Sequence, residues 1–435
     1  MSLLYNILSA FFVLLLLPLL PFILGKKKYR KRIGRRLGWG LARQLPPRAS
    51  ESSPTFWMHA LSVGEVTSAL PLARGLREAF PEARIVFSAA TRSGGEVAEK
   101  LLSPHVDALI AAPLDLGPVV PFFARTIRPD LFILVETDFW PHWLHCLKQR
   151  RVPTLLVNGR ISARSFVLYQ RFSGFFRPMF RSFSLLSMQT RADAAKMIAL
   201  GVEERRVLTL GNLKFDTSQV ADQQTNPAAP GLNKERYGFS ALAPLWICGS
   251  THRGEEELIF RVHRRLLTTL PDLQLLIAPR NIERAGEIAA LGASHQCACR
   301  RRTDGKTAGP ALILDTIGEL AGCYAMAEAV FVGGSFVPQG GHNPIEPAAA
   351  GVPVLFGPHM EDFAEIADEL IECGGARRID AAEALAEELL RLLTDPVARG
   401  LTAEAASVCV RANRGVVGRH LAAVNTLLAG AQPGP

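Results

Sequence analysis

The chain has 435 residues, 48% of them apolar, and its 49 Lys and Arg against 40 Asp and Glu give a formal net charge of +9. That length and apolar content exclude a disordered tail or a disulfide-stapled miniprotein and suffice for two domain cores. The charge excludes a broad nucleic-acid-binding surface, because the run Lys26–Arg36 (KKKYRKRIGRR) holds eight basic residues and no acid, leaving +1 for the rest of the chain. Seven scattered cysteines, an odd number, point to free thiols in a reducing compartment. The one close pair, Cys297 and Cys299 in HQCAC, matches no zinc spacing, so no metal is expected.

In chain order, the first feature is Ile7–Leu24 (ILSAFFVLLLLPLLPFIL), an uncharged apolar stretch long enough to anchor the chain in a bilayer. The basic cluster follows it instead of preceding it, which is the reverse of a cleaved signal peptide. The positive-inside rule then keeps everything after Lys26 on the cytoplasmic side of the membrane, with Lys26–Arg36 against anionic headgroups. Pro18 and Pro21 leave open whether the stretch spans the bilayer or lies in the interface.

From residue 37 onward, apolar runs alternate with amphipathic stretches. Strands are expected near 56–61, 84–90, 130–135, 154–158, 184–189 and 207–211, with helices such as Leu70–Glu78 between them. Residues 216–240 are polar and rich in Asn, Pro and Gly, and read as a linker. A second series follows: WICGS, LQLLIAP, ALILD, AVFVGGS and PVLFG. The alternation argues for two α/β domains with mostly parallel sheets, 37–215 and 241–428, whose ligands collect at the strand C-terminal ends. The final helical stretch Ala403–Leu428 is read as able to return to the first domain, and 429–435 as a tail.

Chemistry concentrates where strands hand over to helices. HALSVGEV places Glu65 after a strand as a candidate general base, and equally as the capping partner of Ser62. LVETDFWPHW ends an apolar strand with Glu136 and Asp138, acids that are costly there unless paired or used. NGRISARSF offers Arg160 and Arg164, GNLKFD offers Lys214, and GSTHRGEEE opens the second series with the residues of an anion-binding helix start or of any capped helix. APRN supplies Pro279 and Arg280, and TIGEL supplies Ile317, Gly318 and Glu319. The stretch Val332–Pro358 contains a glycine-rich loop opening a helix near Asn343, with Glu346 in its first turn. It reads as a nucleotide-binding junction or as a capped turn. Arg160, Arg164, Arg171, Arg177 and Arg181 interleave with Phe166, Phe172, Phe175, Phe176 and Phe180, a pattern suited to a membrane headgroup region or to a core-facing aromatic stripe.

The succession SVGE, ETDFWP, NGRIS, GNLKFD, GSTHRGEE, PRN, GEL and GGSFVPQGGHNPIEPAAAGVPVLFGP resembles the Kdo transferases of lipid A assembly, from about Phe56 to Phe363. The resemblance implies a GT-B glycosyltransferase with two Rossmann-like domains, an acceptor-binding one and a CMP-Kdo-binding one. It implies inverting transfer of 3-deoxy-D-manno-oct-2-ulosonic acid (Kdo) to a glucosamine hydroxyl of a lipid A precursor, with no cofactor and no metal in the chemical step. It places the base on Glu65 and transition-state support on Glu136 and Lys214. The CMP contacts fall on Pro279, Arg280, Ile317, Gly318, Glu319, Asn343, Pro344, Ile345 and Glu346. The chain departs from the family pattern at Asn281, where a histidine often follows Pro-Arg, and at Asp138, where glutamate is usual. A GT-B enzyme with another nucleotide sugar and a membrane-anchored binding protein are the alternatives.

Overall fold

The computed structural model describes residues 27–216, 234–305 and 309–431. The expected anchor, Ile7–Leu24, lies outside them, and among the described residues no helix is long and apolar enough to cross a membrane. The chain divides into two compact units, Met1–Thr217 with Gly415–Pro435, and Ser218–Arg414.

The first unit is built on seven parallel strands: β1 (Thr55–Ala60), β2 (Arg84–Ala89), β3 (Ala108–Ala111), β4 (Leu131–Val135), β5 (Thr154–Gly159), β6 (Leu185–Met188) and β7 (Val207–Thr209), in the order β3-β2-β1-β4-β5-β6-β7. Every residue of β1, β4 and β5 is buried, which is why these strands read as unbroken apolar runs. Side chains alternate between the two faces. Trp57, Phe132 and Leu134 belong to one core, whereas Phe56, Met58, Leu131 and Ile133 belong to the other. The six expected strands are present with ends shifted by up to two residues. The unforeseen β3 is a four-residue edge strand with only alternate residues buried, too short and too mixed to stand out.

The second unit repeats the plan with β8 (Leu245–Thr251), β9 (Gln274–Pro279), β10 (Cys299–Arg301), β11 (Ala311–Ile313), β12 (Ala329–Val332), β13 (Val354–Phe356) and β14 (Ala376–Arg378), ordered β10-β11-β9-β8-β12-β13-β14 and all parallel. Its unforeseen strands, β10 and β14, are again edges and carry two arginines each. Cys297 and Cys299 are free thiols beside β10, and Cys297 Sγ lies 3.8 Å from His263 Nδ1.

The boundaries differ from those expected. Tyr237 and Phe239, at the end of the expected linker, are buried, and Lys234 ion-pairs with Glu328, so 234–240 belong to the second unit. The stretch Ala403–Leu428 is two helices, Pro396–Asn413 and Val416–Ala431, broken at Gly415, whose φ is +78°. The second of these helices serves the first unit. Val416 and Val424 are fully buried in its core, contributing roughly 1.5–3 kcal/mol each. The helix approaches Val63–Ala79 so closely at Gly75 that a Cβ there would lie 2.5 Å from Val417 Cγ1. Asp216 fixes its first turn by accepting from Gly415 N at 2.9 Å and Val417 N at 2.7 Å.

Candidate active site

In each sheet the strand order reverses once, between β1 and β4 and between β8 and β12. Such a reversal sends neighbouring connections to opposite sides and opens a crevice at the strand C-terminal ends. The sequence-predicted residues fall on these two edges.

Glu65 stands in the first turn of Val63–Ala79, directly after β1. The capping reading of SVGE is present in the structure. Ser62 is the N-cap and its hydroxyl accepts from Glu65 N, while the Glu65 carboxylate turns back to accept from Leu61 N. With only 5% of its surface exposed, Glu65 is pushed up to about 8. Burial is the main cause, the backbone N–H groups of Leu61 and Ser62 oppose it, and the charges of Glu136 and Asp138 add to it. A carboxyl that ionises near neutrality is a proton acceptor matched to its task.

Glu136 follows β4 with φ +61°, a left-handed conformation that costs a side-chain-bearing residue on the order of 1–3 kcal/mol. The surrounding polar groups hold it there. Its N–H donates to Val157 O at 2.9 Å, and its Oε1 accepts from Ser68 Oγ at 3.0 Å and from Asn158 Nδ2 at 3.2 Å. Arg160 Nε lies 3.8 Å from Oε2. Asn158 is also left-handed, at the point where the β5–β6 register shifts, and fully buried. Its Oδ1 accepts from Leu213 N and its carbonyl from Gln189 Nε2, while Gln189 accepts from Asn212 and Asn212 accepts from Lys214 N. A chain of side-chain amides thus links the ends of β4 to β7 and fixes the backbone that carries Lys214. Sequence reasoning missed Ser68, Asn158, Gln189 and Asn212. Ser68 lies inside the helix Val63–Ala79 and carried no such mark, whereas Asn158, Gln189 and Asn212 are polar residues at or after the ends of β5, β6 and β7.

Asp138 has a different place. Its Oδ2 lies 2.8 Å from Nε2 of His59, which is fully buried on β1, packs on Trp143 and meets Ser88 through Nδ1. Arg164 lies on the exposed first turn of Ala163–Arg171, a helix with no buried residue.

In the second unit, GSTHRGEEE spans the end of β8 and the start of the helix Glu255–Leu266. Glu255, fully buried, accepts from His252 N, Gly334 N, Ser335 N and Phe336 N at 2.8–3.0 Å. This buried carboxylate thereby shapes the Gly333–Phe336 loop and ties it to the His252 turn. Beside that loop, His252 Nε2 and His342 Nε2 lie 2.8 Å apart. His342 is pushed down to about 4, by burial first and then by Arg280 and His252. Pro279 ends β9, and Arg280 N donates to Thr251 O, which brings Arg280 to the end of β8.

Asn343 accepts from Ile345 N and donates to Glu346 Oε1 at 3.1 Å, so the helix Ile345–Ala349 begins with an Asn turn in which Glu346 takes part. Burial raises the Glu346 carboxyl, and Asn343 opposes it. Pro344 and Ile345 are buried. Gly318 has φ +91° and Ile317 is 86% exposed beside it. Glu319 accepts from Tyr237 OH at 3.2 Å and from Arg302 at 3.3 Å.

Two parallel-sheet α/β units, each carrying polar residues at its strand C-terminal ends, are the two domains of a GT-B fold. Among solved structures, a putative UDP-N-acetylglucosamine 2-epimerase from Listeria monocytogenes shares this fold, with TM-score 0.56, 15% identity, and coverage of 88% of this chain and 99% of that one. The sequence model for "3-Deoxy-D-manno-octulosonic-acid transferase (kdotransferase)" matches residues 31–217. The 3-deoxy-D-manno-octulosonic acid transferase of Haemophilus influenzae is 32% identical over 399 residues, 91% of each chain. That of Chlamydophila psittaci is 30% identical over 368 residues, covering 83% of this chain and 82% of its own. The chain belongs to the 3-deoxy-D-manno-octulosonic acid transferase family.

Proposed function

We propose that the protein transfers Kdo from CMP-Kdo to a glucosamine hydroxyl of a lipid A precursor, with inversion and without a metal in the chemical step. The observation that carries the mechanism is the raised Glu65 carboxyl at the β1–β4 reversal, crowded by Glu136 and Asp138. Glu65, once ionised, takes the proton of the acceptor hydroxyl as its oxygen attacks the anomeric carbon. Glu136, held by Ser68 and Asn158 in a strained conformation, keeps negative potential beside the positive character that develops at that carbon. Lys214, at the end of the amide chain, meets the sugar carboxylate or the departing phosphate. Pro279 and Arg280 take the phosphate end of CMP, Asn343 to Glu346 the ribose, and Ile317 to Glu319 the cytosine side.

The same reading places the catalytic units on the cytoplasmic face of the inner membrane, anchored by Ile7–Leu24. Exposed Val167, Leu168 and Phe172 alternate with Arg164 and Arg171 on a stretch without acids, which suits an anionic lipid surface. Glu65→Ala tests the assignment. It is expected to bind CMP normally and to transfer no Kdo, and near-normal turnover would refute it.

A further inference from the structure

The second unit holds a polar pair that none of the roles above uses. His252, just after β8, and His342, in the loop after β12, meet through their Nε2 atoms at 2.8 Å. Their ring planes differ by 11° and their centroids are 5.1 Å apart. Two ring radii plus that hydrogen bond account for the whole separation, so the rings lie edge to edge in one plane, joined by a nearly linear N–H···N bond. Gly334, with φ +69°, lies alongside both. A Cβ there would come 3.1 Å from His342 Cδ2 and 3.5 Å from His252 Cδ2. Neither Nδ1 has a hydrogen-bond partner among the described residues.

A bond between two imidazoles needs one neutral ring, because two imidazolium rings have no lone pair to share. His342 is that ring, since burial, Arg280 and His252 all disfavour its cation. The pair can therefore share an Nε2–H between its rings and present the His252 Nδ1 edge to a ligand. The surrounding charges fit an anion there. Arg280 faces the pair from the end of β9. Arg253 is held by Glu287 at 2.6 Å. The Glu255 carboxylate is engaged by four backbone N–H groups. Glu346 is tied to Asn343. Beyond β13, His359 meets Glu361 at 3.2 Å and Asp362 sits against Gly340.

We propose that His252, backed by His342 and flanked by Arg280, is the group that grips the donor's phosphate and supports its departure. This rests on the reading of the second unit as the CMP-Kdo half. As the bond between the anomeric carbon and the phosphate oxygen breaks, its electron pair passes to that oxygen. His252 Nδ1–H hydrogen-bonds to the oxygen, while the acceptor's proton goes separately to Glu65. His252 is then a catalytic residue, and His342 a positioning residue that holds the His252 ring through its Nε2.

The test is calorimetric titration of the full-length protein with CMP and with cytidine at pH 8, in two buffers of different ionisation enthalpy. CMP binding is expected to take up a proton and cytidine binding to take up none. His252→Ala is expected to weaken CMP by about tenfold or more while leaving cytidine unchanged. His342→Gln, which keeps an acceptor near the Nε2 position, should retain more of the preference for CMP over cytidine than His342→Ala. An unchanged CMP-to-cytidine ratio in His252→Ala, or CMP binding to the unaltered protein without proton uptake, overturns the proposal. If the unaltered protein binds no CMP at all, the donor reading itself falls and this inference falls with it.

Discussion

Replacing Glu65 by Gln separates the cost of its carboxylate from its use. The carboxyl ionises at about 8 in the fold against an ordinary 4.5. A raised carboxyl stabilises the fold only while it is protonated. The favourable balance is complete below the ordinary value and is lost as pH rises through the folded one, at about 1.4 kcal/mol per pH unit, or roughly 5 kcal/mol in all. Glutamine keeps an acceptor for Leu61 N and has no proton to lose. Between pH 6 and pH 9 the variant should therefore gain about 3 kcal/mol in unfolding free energy relative to the unaltered protein, read from paired urea titrations. Over the same range kcat of the unaltered enzyme should rise with a slope near one in log units and level off above about pH 8, because only ionised Glu65 takes the proton. A stability difference that stays flat across that range, together with pH-independent kcat, would refute the assignment of Glu65 as a buried base.

Asn158→Ala should destabilise the first unit by about 1–3 kcal/mol and lower kcat, because it leaves Glu136 and the Leu213 N–H of that unit short of partners; thermal melts and steady-state kinetics check both effects. Glu255→Ala should cost roughly 3 kcal/mol or more and abolish CMP binding, since it strands four backbone N–H groups, two of them buried, of the His252 turn and the Gly333–Phe336 loop. Termination after Arg414 should leave the first unit aggregation-prone, because it uncovers the core that Val416 and Val424 fill; light scattering at matched concentration reports it. Deletion of residues 1–26 should leave a folded enzyme that floats less with anionic vesicles. Deletion through 36 should also destabilise the fold, because Arg36 Nε donates to Ala112 O and Arg32 to Ala90 O.

Much of this was legible before any coordinates. The buried runs of β1, β4 and β5 announced a parallel sheet because strands covered on both faces have no polar side to hide. Edge strands β3, β10 and β14 were not legible: they are three or four residues long and half-exposed, and β10 and β14 end in paired arginines. The break at Gly415 was visible as a glycine but not as a boundary, since the clamp by Asp216 joins residues almost two hundred apart. In the site, SVGE marked Glu65 correctly as a helix start, and only burial beside two other acids distinguishes it from any capping glutamate. GSTHRGEEE left an anion-binding helix start and an ordinary capped helix equally open, and the contact of Glu255 with the Gly334–Phe336 backbone, some eighty residues away, was not readable from it. The His252–His342 bond could not be read from residues ninety positions apart.

The most direct test of the account is to incubate the protein, and its Glu65→Gln variant, with CMP-Kdo and a tetraacylated lipid A precursor, and to weigh the lipid product by mass spectrometry. The account predicts a lipid heavier by one or more Kdo residues with matching release of CMP from the unaltered protein, and unmodified lipid from the variant. Transfer from a UDP-sugar in place of CMP-Kdo, or equal product from the Glu65→Gln variant, would contradict it.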